Sequence, residues 1–220
     1  MRNRTKDQMT LALIRHGETK ANAQRRYLGK TDESLSEHGI RILQSYKERN
    51  LYPRADYLFS SPMKRCIETA EILYPAEKPV LIPEWEEIDF GRFEYRSYEE
   101  LEDDAYYRRW LESNGTLDFP EGESRETFIG RCRNGLQRMY GIVQRAQKVR
   151  RPDTEKEPVR VSAIVHGGTI MALLSSYGKG NGQKGYFDYQ AANGRGYLCR
   201  AEVHNANGAP EIWIEEAMEL

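Results

Sequence analysis

Two histidines and two arginines lie just beyond segments that the sequence predicts to be β-strands. Arg15 and His16 follow the apolar run MTLALI, His166 follows the β-branched run VRVSAIV, and Arg65 lies shortly after the strand-like run YLFS. The carboxyl ends of parallel strands meet at one edge of an open α/β sheet, where ligands bind. We therefore expect these four side chains to converge, although 150 positions separate the two histidines.

These residue types suit the transfer of a phosphoryl group. A neutral imidazole nitrogen attacks phosphorus and later leaves it readily, and guanidinium groups match phosphate oxygens with paired hydrogen bonds. Gly17 allows the backbone to approach an anion closely, and the N–H of Gly167, at the start of a predicted helix, is a further donor. The departing oxygen needs a proton, so we expect a carboxylic acid with a raised pKa nearby.

Patterns typical of metal and nucleotide sites are missing from the sequence. No histidines or cysteines have the spacing of metal ligands, and there is no glycine-rich motif that ends in Lys-Ser or Lys-Thr. We therefore expect neither a metal nor a cofactor. The widely separated Cys66, Cys132 and Cys199 are typical of reduced, inert thiols, and they favour a cytoplasmic protein.

Four blocks carry these residues and a carboxylate in a recognisable order. They read LIRHGETKAN (13–22), SSPMKRCIETA (60–70), EIDFG (87–91) and VHGGT (165–169). Gly29, Asp32, Leu35 and Gly39 complete the pattern after the first block. Together these blocks resemble the histidine phosphatase superfamily, the phosphoglycerate-mutase-like proteins. The resemblance extends from residue 9 to about residue 175, most of the chain.

The resemblance implies a role for each residue that matches a block. His16 is implied to be the nucleophile that becomes phosphohistidine. Arg15, Arg65 and His166 are implied to surround the phosphoryl group, and Asn22 is implied to add a hydrogen bond. No metal takes part in this scheme.

The resemblance also implies which carboxylate is the acid. In the family the acid precedes the glycine of its block by four residues, and that glycine is Gly91 here. This spacing selects Glu87 rather than the adjacent Glu86. Glu87 is implied to protonate the leaving oxygen and later to help activate water.

Simpler structural roles are alternatives for several of these residues. Arg65 could form an ion pair on a helix surface, and Asn22 could cap a turn. His38 and His204 match no motif, so we expect them to be structural or exposed to solvent. Three tryptophans are expected to pack in the core or against a lid: Trp85, Trp110 and Trp213.

Charge after the acid block favours a phosphatase over a mutase. Mutases of this family hold doubly phosphorylated intermediates with extra basic residues there. This chain has carboxylates instead: Glu94, Glu99, Glu100, Glu102, Asp103 and Asp104. Such a run would repel a second phosphate. The segment 120–124, with Phe128 and Arg131 beyond it, also resembles the short phosphatase branch that includes α-ribazole phosphatase and broad-specificity phosphatases.

We therefore expect a metal-independent phosphomonoester hydrolase that acts on a small phosphorylated metabolite through phosphohistidine. The alternatives are a phosphoglycerate mutase and a non-catalytic phosphate-binding scaffold. A scaffold would lack the nucleophile or the acid, and this sequence has both. Leu28, Ser34 and the run Phe93-Glu94-Tyr95 depart from the family pattern near the phosphate entrance, which leaves the substrate open.

Strand-like and helix-like segments alternate along the chain, as in an α/β protein. Strands are predicted at 9–14, 57–60, 80–82 and 159–165, followed by two within 196–216 joined at Asn207-Gly208. Helices are predicted at 36–50 with Ser36 as N-cap, at 61–73 with Ser61 as N-cap and Pro62 in the first turn, at 124–149, and at 169–177. The resemblance implies a three-layer α/β/α sandwich around a mostly parallel sheet of about six strands.

Two segments interrupt this alternation and are candidates for lids over the site. Residues 84–126 hold 15 acidic and 5 basic residues interleaved with aromatic ones, and residues 178–196 hold 6 glycines. Aromatic residues of both segments could stack on a ring-bearing substrate. No linker separates the blocks, so we expect a single domain over residues 1–220.

Composition limits the partners that this chain can have. With 33 basic and 34 acidic residues, the formal net charge is −1, which disfavours nucleic-acid binding. The basic stretch 131–160 is expected to be a solvated helix face. No apolar run approaches the length of a membrane span. Because the first eight residues are basic and polar with no hydrophobic segment behind them, we expect no signal peptide. The expected partner is a small phosphomonoester. The sequence does not indicate an oligomeric state.

Overall fold

Within residues 7–150, 158–178, 185–206 and 209–220, which the computed structural model describes, six strands form one sheet. In chain order they are β1 (Asp7–Arg15), β2 (Tyr57–Ser60), β3 (Val80–Leu81), β4 (Val159–Val165), β5 (Gly196–Ala206) and β6 (Ala209–Glu219). Their order across the sheet is β3-β2-β4-β1-β5-β6. The first four of these run parallel, and β5 and β6 are antiparallel to their neighbours. The predicted α/β fold with a mostly parallel six-stranded sheet is confirmed.

Seven α-helices connect or cover the strands in the described part of the chain. They are α1 (Lys20–Ala23), α2 (Glu37–Glu48), α3 (Lys64–Leu73), α4 (Tyr98–Leu101), α5 (Ala105–Glu112), α6 (Arg125–Arg150) and α7 (Gly167–Tyr177). Short 3-10 helices occur at Pro83–Trp85, Gly91–Phe93 and Tyr186–Tyr189. The predicted cap of α2 is confirmed, because Ser36 Oγ accepts a hydrogen bond from the Gly39 N–H at 2.9 Å.

The predicted start of the helix at 61–73, which corresponds to α3, is wrong. Helix α3 begins at Lys64, after Met63, and Ser61 and Pro62 belong to the connection from β2. Ser61 continues the strand, since its N–H donates to the Ile164 carbonyl at 2.9 Å. Its hydroxyl lies 2.8 Å from a ring nitrogen of His166. The Ser-Pro pair is therefore used at the strand end and not as a helix cap.

Alternate residues of β1 point into two separate cores, one on each face of the sheet. Leu11 and Leu13 belong to a core that includes side chains of α6 and α7. Ala12 and Ile14 belong to a smaller core with side chains of α2 and α3. Helices therefore cover both faces of the sheet, as expected for a three-layer sandwich.

The two candidate lid segments have different structures. Residues 84–126 contain the 3-10 helix Gly91–Phe93 together with α4 and α5, and they have an aromatic cluster: Phe90, Phe93, Tyr107, Trp110 and Phe119. Trp85 and Trp110 are buried, as expected. In 178–196, residues 179–184 lie outside the described part of the chain, as do the Asn207-Gly208 turn and the side chain of Trp213. Movement of these segments as lids stays a prediction.

Helix α6 holds the segment that precedes the candidate acid through close packing at a glycine. A Cβ at Gly135 would lie 2.5 Å from Nε1 of Trp85, and this nitrogen donates to the Cys132 carbonyl at 3.2 Å. Glycine at 135 therefore lets the buried indole lie against the helix, two residues before Glu87. Gly130 of the same helix differs, because a Cβ there would meet nothing within 4 Å.

Alanine substitution at these two glycines is predicted to have opposite effects on stability. Gly130→Ala removes backbone entropy from the unfolded chain and should raise the free energy of unfolding by roughly 0.5–1 kcal/mol. Gly135→Ala has the same helix propensity gain but overpacks Trp85, and it should lower that free energy by about 1–3 kcal/mol. Urea denaturation of both variants measures the difference. Shifts of the same sign would contradict this packing.

Candidate active site

The register of three parallel strands brings their last residues together at one edge. Arg15 pairs with Val165, and Ser60 pairs with Ile164. The next residues along the chain, His16, Ser61 and His166, therefore emerge side by side. The ring centroids of the two histidines are 5.2 Å apart, so the predicted convergence of residues 150 positions apart is confirmed.

His16 is held as a neutral ring with one free nitrogen. Its Nδ1 lies 2.7 Å from the Gly17 carbonyl, and because a carbonyl only accepts, Nδ1 carries the proton. Burial, together with the positive charges of Arg65 and Arg15, holds the pKa of His16 well below its usual range. The ring therefore has an unprotonated Nε2, which is the form able to act as a nucleophile.

His166 is also neutral, but both of its ring nitrogens contact protein groups. Nε of Arg65 donates to Nδ1 at 3.3 Å, so Nε2 carries the proton and donates to Ser61 Oγ at 2.8 Å. Burial and the charge of Arg65 hold the pKa of His166 well below its usual range. Ser61 thus has a role in orienting this ring that sequence analysis, which placed it at a helix cap, missed.

Arg65 is fully buried, which excludes the alternative of an ion pair on a helix surface. Besides His166, its guanidinium donates to the carbonyls of Thr31 at 3.0 Å and Gly29 at 2.9 Å. Three of its five N–H groups are used in this way, and the other two can donate to an anion.

Arg15 brings a second guanidinium to the same edge. Its Nη1 donates to the Ala191 carbonyl at 2.8 Å, and its buried Nε has no partner among the described residues. Burial lowers the pKa of Arg15, and the nearby Glu87 carboxylate opposes that effect. Gly167 lies against this guanidinium, since a Cβ there would be 3.5 Å from Arg15 Cζ. Its N–H is in the first turn of α7 and has no acceptor within the helix.

Asn22 both caps a helix and faces the site. Its Oδ1 accepts from the Thr19 N–H at 3.2 Å, which closes the capping box of α1, and from Asn193 Nδ2 at 3.0 Å. Asn22 therefore does have the capping role that was the alternative to phosphate binding. Its Nδ2 is the group of this side chain that could donate to a phosphate. Asn193 also donates to the His16 carbonyl at 3.2 Å. Sequence analysis missed Asn193, whose only signal is its place in the glycine-rich segment.

Glu87 is buried at the same edge, whereas Glu86 is exposed. Its carboxylate accepts from the N–H groups of Ile88 at 3.0 Å and Gly168 at 3.2 Å. Burial raises the pKa of Glu87, although these hydrogen bonds and the two arginines act in the opposite direction. A Cβ at Gly168 would lie 2.3 Å from Glu87 Oε1, so this approach requires glycine.

Arg131 of α6 fixes the backbone that leads to this acid. Its Nη1 donates to the carbonyls of Glu84 at 2.9 Å and Glu86 at 2.8 Å. Its Nε and Nη2 form a two-bond ion pair with Glu123 at 3.1 and 2.7 Å. Sequence analysis noted Arg131 only as part of a family pattern, because hydrogen bonds to carbonyls of a distant loop leave no mark in the sequence.

Three of the cavities that open around these groups differ in the chemistry of their walls. One of about 350 Å³ is polar and includes Arg15, Asn22 and Asn193 in its wall. The second, about 510 Å³ and called here the acidic cavity, is lined by Lys30, Arg131 and these carboxylates: Glu86, Glu87, Asp89, Asp118 and Glu123. The third, about 330 Å³ and called here the apolar cavity, also reaches Glu87.

Other expectations concern metals, membranes and thiols. Among the described residues, no group of three His, Cys, Asp or Glu side chains could hold a metal ion, and no helix is long and apolar enough to cross a membrane. Cys66, Cys132 and Cys199 are free and buried. Burial raises the pKa of the Cys66 thiol to about 12, so it stays protonated. His38 is exposed beside Glu18, as expected for a residue outside the site.

Relatives with curated names resemble this chain over much of its length. A probable phosphoglycerate mutase of Proteus mirabilis is 29% identical over 168 residues, which cover 74% of this chain and 72% of the relative. Another, from Klebsiella pneumoniae, is 36% identical over 129 residues, 56% of this chain and 60% of the relative.

Solved structures share the fold. A phosphoglycerate mutase of Thermus thermophilus is 26% identical with a TM-score of 0.62, covering 96% of this chain and 99% of that one. The α-ribazole phosphatase of Shigella flexneri is 22% identical with a TM-score of 0.67, covering 94% and 95%. The model of the histidine phosphatase superfamily (branch 1) matches residues 11–206. The chain therefore belongs to the histidine phosphatase superfamily.

Proposed function

We propose that this protein is a metal-independent phosphomonoester hydrolase that works through a phosphohistidine at His16. The observation that carries the proposal is the state of His16, a buried neutral ring whose free Nε2 lies among the guanidinium groups of Arg15 and Arg65. A nucleophile in this setting needs a substrate that brings negative charge. A phosphate monoester brings two such charges and an electrophilic phosphorus atom.

In the first step, His16 Nε2 forms a bond to phosphorus as the bond from phosphorus to the ester oxygen breaks. The proton of Glu87 goes to that departing oxygen, and burial favours the protonated carboxyl that this transfer needs. The charges of Arg15 and Arg65 stabilise the equatorial oxygens in the transition state. Asn22 Nδ2 and the Gly167 N–H are further donors to the same oxygens.

His166 completes this enclosure. It accepts from Arg65 at Nδ1 and so fixes the orientation of that guanidinium. Its Nε2–H, which Ser61 accepts in this structure, is the donor that a phosphoryl oxygen would take over.

In the second step Glu87 acts as a base instead of an acid. Glu87, now a carboxylate, removes a proton from water as the water oxygen bonds to phosphorus and the bond from phosphorus to His16 breaks. Inorganic phosphate leaves, and both side chains return to their starting protonation states.

A phosphoglycerate mutase is the second candidate, favoured by the names of the curated relatives. The acidic cavity beside Glu87 argues for the hydrolase. Its two cations are already paired, Lys30 with Asp89 at 2.6 Å and Arg131 with Glu123 at 2.7 Å. Glu86 and Asp118 of the same wall form no ion pair with a cation among the described residues. A substrate with a second phosphate would meet these carboxylates, which disfavours its binding.

The carboxylates that support this argument differ from those that sequence analysis chose. Glu94 accepts hydrogen bonds from the N–H groups of Gly29 and Thr31, and Glu100 pairs with Arg26 at 2.7 Å. Asp104 caps α5 and pairs with a neighbouring arginine. These members of the acidic run stabilise the local fold, and the repulsion comes instead from the wall of the acidic cavity.

Release of inorganic phosphate from p-nitrophenyl phosphate in EDTA tests the proposal, with 3-phosphoglycerate assayed in parallel. The wild type should be active, and His16→Ala should lose roughly 10³-fold or more of kcat/KM because no nucleophile remains. Activity that needs a metal, or that survives in His16→Ala, would contradict the proposal. Isomerisation of 3-phosphoglycerate without phosphate release would assign the chain to the mutases.

Glutamine substitution at the two neighbouring glutamates tests the acid. The first step needs protonated Glu87, whose pKa is raised, so kcat/KM should fall as the pH rises through that pKa. Glu87→Gln should lose about 10²–10⁴-fold of the rate with an alkyl phosphate, and its profile should lack the alkaline fall. His16 should not limit the rate near its ordinary pKa, because its own pKa is lowered.

Glu86→Gln is the matched control. This variant should keep both the rate and the alkaline fall, since Glu86 is exposed. Because both variants are assayed with the same substrate, the ionisation of the phosphate ester itself affects the two pH profiles equally. An active Glu87→Gln together with an inactive Glu86→Gln would place the acid one residue earlier.

A further inference from the structure

The apolar cavity reaches the acid but plays no part in the chemistry described so far. Its volume is about 330 Å³, at the lower end of the range for pockets that hold small molecules. Its wall is mainly aromatic and aliphatic: Tyr27, Phe90, Trp110, Phe119, Met171 and Phe187. A space of this size fits one or two rings.

Two wall residues connect this cavity to the reaction. Glu87 and Gly168 both line it, and they are joined by the hydrogen bond from the Gly168 N–H to the carboxylate. Glu87 protonates the ester oxygen in the proposed first step. The carbon group attached to that oxygen must therefore lie beside Glu87, next to both the apolar cavity and the acidic cavity. An uncharged carbon group is better accommodated by the apolar wall than by the carboxylates of the acidic cavity.

The walls of the apolar cavity and the acidic cavity differ in their charged side chains. Of the described side chains in the wall of the apolar cavity, Arg125 is the one charged group besides Glu87. The Arg125 guanidinium stacks over the rings of Tyr186 at 4.7 Å and Phe187 at 5.1 Å, and it donates to the Asn114 carbonyl at 2.7 Å. This cation is thus part of a flat stacked wall, which suits the face of a ring.

Both candidate lid segments contribute to this wall and meet at Gly115. A Cβ there would lie 2.7 Å from Arg125 Nη2, 3.0 Å from Phe187 Cζ and 3.0 Å from Trp110 Cζ2. The tyrosines of the two segments, together with Trp110 and Phe187, therefore separate into two groups. Trp110, Tyr186 and Phe187 line the cavity, whereas these do not: Tyr95, Tyr98, Tyr106, Tyr107 and Tyr189.

We propose that the apolar cavity binds the alcohol part of the substrate, and that this part is an uncharged group bearing a ring. The inference rests on the proposed function, since it takes Glu87 as the proton donor to the ester oxygen. Ring burial in the cavity adds to kcat/KM, while the guanidinium groups at the strand ends bind the phosphate.

A pair of alkyl esters tests the proposal without a difference in leaving-group chemistry. Both 2-phenylethyl phosphate and ethyl phosphate release a primary alkoxide, and they differ by the ring. The wild type should prefer the phenyl ester by ~10- to 100-fold in kcat/KM, as for well-fitted apolar groups. Equal kcat/KM values for the two esters would overturn the inference.

Substitutions locate the preference in the cavity. Phe187→Ala should reduce this preference for the phenyl ester about 10-fold, and Leu111→Ala should reduce it about 3-fold. Leu111 lines the cavity and is partly exposed, so its truncation is compatible with folding. Leu117→Ala is the matched control, because Leu117 is similarly exposed but lies outside the wall. A preference unchanged in both cavity variants would overturn the proposal.

Binding of the non-hydrolysable phosphonates separates this inference from the proposed function. Calorimetry should give a Kd for 2-phenylethylphosphonate about 10-fold or more below that of ethylphosphonate, and Phe187→Ala should remove the difference. This result without turnover of either ester would refute the hydrolase and support the cavity. Turnover of both esters with equal phosphonate Kd values would support the hydrolase and refute the cavity.

Discussion

Two guanidinium groups beside two buried histidines, that of Arg65 fully buried and that of Arg15 partly buried, are the constraint on which the rest of the site depends. Among the described residues, Glu87 is the one buried carboxylate at this edge, and the charges of Arg15 and Arg65 help to hold both imidazoles neutral. A buried cluster with excess positive charge is costly unless an anion neutralises it. In the proposed reaction a phosphoryl group would supply that charge, and the fixed dipoles that receive it would need little reorganisation.

Backbone groups maintain this arrangement. The ladder between β1 and β4 fixes the spacing of the two histidines, and carbonyls of distant loops accept from Arg15 and Arg65. Arg131 does the same for the acid, since it donates to two carbonyls of the segment that ends at Glu87. The chain thus positions each charged group through rigid backbone, which limits the motion that would misplace a reacting atom.

Strand ends and local motifs could be predicted from the sequence, because each depends on nearby residue types. The predicted strands at 57–60 and 159–165 match β2 and β4, and the residues expected at the site do meet. The Ser61-Pro62 pair predicted a helix start at Ser61, which is wrong. In the structure the Ser61 hydroxyl accepts a hydrogen bond from His166, and this tertiary contact outweighs the local preference of serine for a helix cap. The roles of Asn193 and Arg131 could not be predicted from the sequence. Both depend on hydrogen bonds to backbone carbonyls of residues far away in the chain.

The central claim is that the phosphoryl group passes through His16. Rapid mixing of the protein with 2-phenylethyl phosphate, followed by an alkaline quench and peptide mass spectrometry, tests it most directly, because phosphohistidine survives in alkali. We predict a phosphorylated peptide that contains His16, formed in the first turnover and lost as the substrate is consumed. Phosphate release with no phosphorylated histidine at any time, or with the phosphoryl group on His166, would contradict the account.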